Sequence, residues 1–186
     1  MSQVRSLSAA PLSNSQMNTK IAHLLGNGPS RKDFKNVPEG LIFGCNLSDP
    51  DLPLKATFIM DRACIGHIHN NRVKLNFPVI VPENMTRVVQ QCDPAPVIYD
   101  TVAKNTVNGE STGHKAIEYL LEAGFTEIHM WGFDSMQKDS VESDSHTKMP
   151  ECPASPNNWR AWRKNWDKIF NSQRGKKCKF EIHKPL

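Results

Sequence analysis

Short apolar runs recur along the chain, and each of them ends in residues that favour turns. They are Ile21 to Leu25, Leu41 to Cys45, Ala56 to Met60, Phe77 to Val81, Val97 to Tyr99, Glu127 to Trp131 and Cys178 to His183. Runs this short and this continuous are typical of strands that are buried on both faces, as in a parallel sheet. The pattern therefore predicts a central sheet whose strands are mostly parallel.

Helices are indicated between these strands by a change of spacing. The clearest spans about Gly113 to Ala123; Ser111 or Thr112 can cap its start, and Gly124 suits the left-handed position past its end. Weaker helix candidates cover residues 62–70 and 83–91. Strands that alternate with helices predict an open α/β sheet, which binds ligands beyond the carboxyl ends of its strands.

A second clear helix begins at Ser155-Pro156, where a hydroxyl at the cap is followed by proline in the first turn. Three tryptophans and an isoleucine follow at helical spacing and share one face: Trp159, Trp162, Trp166 and Ile169. Indoles at this spacing are more often core packing than a platform for a ligand. We therefore expect a tryptophan-rich helix over residues 156–172.

The composition fits one globular domain, because the chain has 186 residues of which 38% are hydrophobic. Apolar runs stay far below the roughly 20 residues that span a membrane, and no signal-peptide core is evident. The five cysteines are scattered without a Cys-x-x-Cys pair, which favours a reducing, cytoplasmic location. We expect a flexible segment over residues 1–17 and a single domain over residues 18–186.

Positive charge is concentrated at the C-terminal end of the chain. The net charge is +4, and residues 156–186 contain nine Lys or Arg but only two acidic residues. A basic region of this kind could contact nucleic acid or an acidic glycan. A solvated face with no partner is the alternative interpretation.

The first strand runs directly into Gly26-Asn27-Gly28-Pro29-Ser30. Glycines there permit positive φ and let a ligand approach the backbone, while Pro29 and Ser30 suit the first turn of a following helix. Backbone N–H groups at such a turn could bind a phosphate, although a purely structural turn stays open. The spacing fits neither a Walker loop nor the dinucleotide fingerprint.

This glycine string resembles the one in bacterial lipooligosaccharide sialyltransferases and in a related domain family that includes a 6-hydroxymethylpterin diphosphokinase. Further motifs similar to those of the sialyltransferases follow in the same order: Gly44-Cys45-Asn46, Ser111-Thr112-Gly113, the block from Gly124 to Asp134, and Asp144-Ser145-His146. The resemblance implies a Rossmann-like three-layer sandwich. It also implies inverting, metal-independent transfer of a sugar from a CMP-linked donor to an acceptor hydroxyl, with no further cofactor.

The resemblance also assigns roles to residues. His146 would be the general base for the acceptor hydroxyl, and Asp144 would orient it. The remaining positions would bind the nucleotide and the donor: Gly26, Asn27, Gly28, Pro29, Ser30, Asn46, Ser111, Thr112, Gly113 and Asp134. Asp61, which directly follows the third apolar run, could reach a ribose hydroxyl. We expect a glycan acceptor, with nucleic acid as the alternative through the basic C-terminal region.

The chain departs from the family between residues 135 and 155, the expected lid-like loop. The family has two tyrosines there, whereas Tyr99 and Tyr119 both lie upstream. The donor would then differ, a partner subunit would complete the site in a homo-oligomer, or activity would be lost. Two rival functions stay open: a Mg²⁺-dependent diphosphokinase that relies on acidic residues such as Asp49, Asp51, Asp61 and Asp134, and an inactive nucleotide-binding module.

The histidines outside these motifs give no clear metal site. Cys64, His67 and His69 lie close together in sequence, but they have no fourth ligand at suitable spacing. His23 lies within an apolar strand and is expected to be a buried, hydrogen-bonded residue. The sequence therefore assigns no metal ligand.

Overall fold

The computed structural model describes residues 20–35, 39–47, 52–103, 110–136 and 156–184. Seven strands in these ranges form one sheet: β1 (Ile21–Leu25), β2 (Leu41–Cys45), β3 (Ala56–Phe58), β4 (Val79–Pro82), β5 (Ile98–Val102), β6 (Glu127–Trp131) and β7 (Lys179–Ile182). Their order is β5-β4-β3-β2-β1-β6-β7, and every neighbouring pair is parallel.

Four α-helices accompany the sheet: α1 (Arg62–Asn70), α2 (Thr86–Gln90), α3 (Thr112–Glu122) and α4 (Pro156–Phe170). Short 3-10 helices cover Pro29–Asp33, Glu83–Met85, Asp134–Met136 and Gly175–Lys177. One buried cluster joins α3 and α4 to one face of the sheet, and a second joins α1 and α2 to the other. The fold is therefore an α/β, Rossmann-like sandwich of three layers, as the sequence predicts.

Side chains along β1 and β6 alternate between the two faces of the sheet. Ala22, Leu24, Ile128 and Met130 belong to the cluster under α3 and α4, and all four are fully buried. The intervening positions of both strands face the opposite side. There Leu25 and Trp131 belong to a third cluster, with Phe34 and Ile42. The two strands therefore place only apolar side chains under α3 and α4, and both apolar and polar side chains on the opposite face.

Most predicted elements are confirmed, with small shifts at their ends. Helix α3 begins one residue earlier than expected, with Ser111 at its N-cap, and Gly124 has the left-handed φ of +79°. The third strand ends at Phe58 rather than Met60. The segment after the glycine turn is only a five-residue 3-10 helix, Pro29–Asp33.

Parts of the predicted organisation lie outside the described residues. These are the N-terminal segment 1–17 and nearly all of the lid-like loop 135–155. Within the described ranges, no helix has the length and apolar character needed to cross a membrane.

Candidate functional site

The strand order changes direction at β1, because β2 to β5 lie on one side of it and β6 and β7 on the other. Leu25 at the end of β1 lies opposite Gly44 of β2 and Trp131 of β6. The segments that follow these three strands therefore meet at one edge. In open α/β sheets, such a change of direction at the carboxyl ends forms the usual ligand crevice.

The glycine turn is held against the end of β6. Gly26 N–H donates to the carbonyl of Trp131 at 2.6 Å, and Gly28 N–H donates to that of Gly132 at 2.9 Å. A Cβ atom on Gly26 would collide with the carbonyl oxygen of Gly132, and one on Gly28 would also collide with the carboxylate of Asp134. Both glycines are therefore required by the close approach of two chain segments.

The glycines of this turn do not use the positive φ that glycine permits. Gly28 has a φ of −79°, and the described glycines with positive φ are Gly40, Gly124 and Gly132. Because the N–H groups of Gly26 and Gly28 already donate to the carbonyls of Trp131 and Gly132, a phosphate at this turn would need other donors in this conformation. The glycine motif thus serves packing at the carboxyl edge.

Ser30 and Asp134 form a buried pair that ties the same turn to the segment after β6. The carboxylate oxygen Oδ2 of Asp134 accepts from Ser30 N–H at 3.1 Å and from Ser30 Oγ at 3.0 Å. Ser30 Oγ in turn accepts from Gly132 N–H at 2.8 Å. The other oxygen, Oδ1 of Asp134, is buried and has no hydrogen-bond partner among the described residues. Buried carboxylate oxygens normally accept hydrogen bonds, so Oδ1 is an acceptor whose hydrogen-bonding capacity is unused within the described residues.

Asn46, at the end of β2, has a left-handed backbone with a φ of 58°. Its N–H donates to the carbonyl of Phe58 at 2.7 Å, and its own carbonyl accepts from Thr57 Oγ1 at 2.7 Å. Its side-chain Oδ1 accepts from Thr112 Oγ1 at 3.3 Å. Non-glycine residues in this region of φ often mark functional sites, although asparagine tolerates it best.

The N-terminus of α3 lies at the same edge and is fixed by His114, a residue to which the sequence assigned no role. Ser111 N–H donates to His114 Nδ1 at 2.8 Å, and His114 Nε2 donates to the carbonyl of Trp162 at 3.0 Å. The ring also stacks on Trp166, with centroids 4.0 Å apart. Burial lowers the pKa of His114 from 6.5 to about 4, so the ring is neutral near pH 7. His114 therefore joins α3 to α4 in its uncharged form.

Asp61 stands farther along the edge, at the N-cap position of α1, where its side chain makes no capping hydrogen bond. Loss of water contact raises the pKa of Asp61, although the side chain as a whole stays exposed. Among the described residues, Asp61 belongs to no group of three side chains that could hold a metal ion. Asp49 and Asp51 lie outside the described ranges.

The structure thus brings most of the sequence-predicted binding residues to one edge of the sheet. Asn27 contributes a side-chain oxygen that accepts from Arg31 Nη1 at 3.4 Å, and Pro29 begins the 3-10 helix. Gly113 lies where a Cβ would collide with the ring of Phe133. The predicted catalytic pair, His146 and Asp144, lies outside the described residues.

A second cluster, which the sequence did not suggest, lies on a face of the sheet. Its members are His129, Glu181 and His183, and within the described residues they form the one group able to hold a metal ion. Cys64, His67 and His69, which lie close together in sequence, do not form such a group in the described part of the chain, and His67 Nδ1 lies 3.3 Å from the side-chain nitrogen of Asn71. The sequence signal for these residues is the alternation of polar and apolar positions along β6 and β7, which marks a polar face but does not show that the two strands are neighbours.

Comparisons with protein-family models, with curated proteins and with solved structures gave no match to this chain.

Proposed function

We propose that this protein binds a nucleotide-activated sugar, with a CMP-linked donor favoured, and transfers the sugar to an acceptor hydroxyl. The observation that carries the proposal is the hydrogen bond from Thr112 Oγ1 to Asn46 Oδ1, at 3.3 Å. It joins a left-handed residue at the end of β2 to the N-terminus of α3. Both residues lie in motifs that resemble the donor-binding motifs of the sialyltransferases.

The position of α3 supports a phosphate-bearing ligand. The first turn of a helix leaves backbone N–H groups without partners inside the helix, and the helix dipole favours negative charge there. The hydroxyl groups of Ser111 and Thr112 also lie at this end, where they contact His114 Nδ1 at 2.8 Å and Asn46 Oδ1 at 3.3 Å and hold the helix start in place. The stacked and hydrogen-bonded ring of His114 keeps the helix start rigid. Donors that are fixed in advance can stabilise the charge that develops on a leaving phosphate.

The buried Asp134 supports a second contact at the same edge. Its Oδ2 is used by Ser30, whereas Oδ1 has no partner among the described residues. A ribose hydroxyl or a base amino group could donate to Oδ1. In this proposal His146 accepts the proton of the acceptor hydroxyl while the sugar moves from the phosphate to that oxygen, and Asp144 orients the imidazole.

A ligand screen tests the proposal. CMP and CMP-sialic acid, each in EDTA, should raise the unfolding temperature of the protein; a ligand at about 100 times its Kd adds about 2.7 kcal/mol of stability. Thr112→Val and Asn46→Gly should each weaken binding about 5- to 10-fold, the effect of about one hydrogen bond. Glycine at position 46 keeps the left-handed backbone and removes only the side chain.

Thr126→Val is the matched control, because Thr126 precedes β6 at the opposite end of the sheet. It should bind nucleotides like the unmodified protein. If ATP is the only ligand that raises the unfolding temperature, and if it does so only in the presence of Mg²⁺, the result would contradict the proposal and favour a diphosphokinase. His146→Ala should abolish transfer and leave CMP binding intact; binding by the unmodified protein without transfer from any donor would favour an inactive module.

A further inference from the structure

Three histidines and two glutamates lie together on the face of the sheet opposite α3 and α4. His23 of β1 is paired with His129 of β6, and their rings stack at 4.8 Å. On the other side of His129, β7 contributes Glu181 in direct register, with His183 just beyond the end of β7. None of these residues belongs to the proposed nucleotide site.

We propose that His129, Glu181 and His183 bind a single Zn²⁺ ion, with a water molecule as the fourth ligand. Imidazole nitrogens and a carboxylate are the ligands that catalytic zinc sites combine, and such sites keep one position for water. This assignment is independent of the proposed glycosyl transfer.

The separations between the three side chains fit one tetrahedral ion. His129 Nδ1 lies 3.1 Å from His183 Nε2 and 3.5 Å from Glu181 Oε2, and His183 Nε2 lies 3.8 Å from Glu181 Oε1. Ligand atoms at about 2.0–2.2 Å from a tetrahedral Zn²⁺ lie about 3.3–3.6 Å apart. The two Glu181 distances are to different oxygens, and one ligand atom from each of the three residues lies within 4.8 Å of the other two. Side-chain rotations would therefore bring one carboxylate oxygen and the two imidazole nitrogens to the separations of a tetrahedral site.

Glu127 supplies the outer contact that zinc-binding histidines usually make. Its Oε1 lies 3.0 Å from His129 Nε2 and 2.7 Å from Lys179 Nζ. A carboxylate can only accept here, so His129 Nε2 carries the hydrogen and Nδ1 keeps its lone pair. That lone pair is on the side of the ring that approaches His183 and Glu181. The tautomer required for a ligand at Nδ1 is therefore already fixed.

Two buried polar atoms beside the cluster also indicate a missing ligand. His129 and His183 line a cavity of about 430 Å³ together with His23 and Trp131. His23 is 2% exposed and its Nε2 donates to the carbonyl of Glu39 at 3.0 Å, which leaves Nδ1 as an acceptor. Neither His23 Nδ1 nor Trp131 Nε1 has a hydrogen-bond partner in the part of the chain that the structure describes. A metal-bound water in this cavity could donate to the first, and an anion bound there could accept from the second.

Metal uptake by the untagged, full-length chain tests the proposal. After treatment with EDTA and its removal, the protein should take up one Zn²⁺ per chain and retain it through desalting. Co²⁺ used as a spectroscopic probe should give the visible absorption of a tetrahedral site. Glu181→Gln and His183→Ala should each weaken Zn²⁺ binding at least tenfold, and Glu127→Gln should weaken it by about 10- to 100-fold.

His69→Ala is the control, because His69 is an exposed histidine of α1. It should bind Zn²⁺ with unchanged stoichiometry and affinity. Glu181 is on the surface, so Glu181→Gln should keep the circular dichroism spectrum of the folded protein and report on binding alone. The proposal is overturned if the folded, unmodified chain takes up no Zn²⁺, or if Glu181→Gln and His183→Ala both bind it as tightly as the unmodified chain.

Discussion

Acid should destabilise this protein through His114, because the fold holds that ring neutral. The ring is fully buried, is stacked on Trp166, and has a pKa lowered by burial from 6.5 to about 4. A histidine with a lowered pKa in the folded state binds a proton more readily when the chain unfolds. Its contribution to stability is therefore fully present above pH 6.5 and is lost as the pH falls towards about 4.

The size of the effect follows from the two pKa values of His114. The pKa of His114 is 6.5 in the unfolded chain and about 4 in the folded one. The free energy of unfolding therefore falls by about 2 kcal/mol at pH 5 and by about 3 kcal/mol at pH 4. Urea unfolding followed by tryptophan fluorescence, repeated between pH 7.5 and 4.5, measures the free energy of unfolding at each pH. His114→Gln removes the titrating ring and retains an N–H that can donate to the carbonyl of Trp162.

Other groups titrate in the same range, so the difference between variants is the informative quantity. Burial also lowers the pKa of His23 and of His183, so both residues also reduce the free energy of unfolding as the pH falls. The unmodified protein should lose about 2 kcal/mol more than His114→Gln between pH 7.5 and pH 5. His69→Gln, at an exposed position of α1, should behave like the unmodified protein. Equal losses in His114→Gln and the unmodified protein would refute a buried, neutral His114.

The remaining predictions concern the glycine turn and its buried carboxylate, and chemical denaturation measures all of them. Gly28→Ala should lower the free energy of unfolding by several kcal/mol, because its Cβ meets backbone and carboxylate atoms. Gly66→Ala, with open space around its Cβ, should leave the free energy of unfolding unchanged or raise it by up to about 1 kcal/mol. Equal effects of the two substitutions would contradict the packing role of Gly28. Gly124→Ala should cost about 1–2 kcal/mol from its positive φ alone, and no cost would argue against that conformation. Asp134→Ala should lower the free energy of unfolding by about 2–3 kcal/mol, because Ser30 loses the acceptor for two hydrogen bonds. A decrease below about 0.5 kcal/mol would exclude the buried pair.

The sequence predicts the order and type of the elements well because each apolar run is short and ends in turn residues. The sequence also predicts both ends of α3, because Ser111 at the N-cap and Gly124 past the C-terminus are strong local signals. The sequence leaves the role of the glycine turn open because glycine serves two purposes. A string such as Gly26 to Gly28 looks the same whether a phosphate or another strand approaches it. Only the neighbouring position of β6 in the sheet decides between them.

The histidine cluster could not be predicted because it depends on which strands are neighbours. His129 and His183 are 54 positions apart, and they meet only because β7 pairs with β6. Apolar content made β6 look like a strand buried on both faces, whereas Glu127, His129 and Trp131 are all partly exposed. The role of His114 was hidden for the same reason, since its partners Trp162 and Trp166 belong to α4.

The most direct test of the proposed nucleotide site is to map where CMP binds. Titration of ¹⁵N-labelled protein with CMP in EDTA, followed by amide chemical shifts, reports on each part of the sheet edge separately. We expect the largest shifts at Asn46, Ser111 and Thr112, with little change at Thr126 on the opposite end of the sheet. Saturable shifts confined to other parts of the molecule, or no shifts at millimolar CMP, would contradict a nucleotide site at the carboxyl ends of β1, β2 and β6.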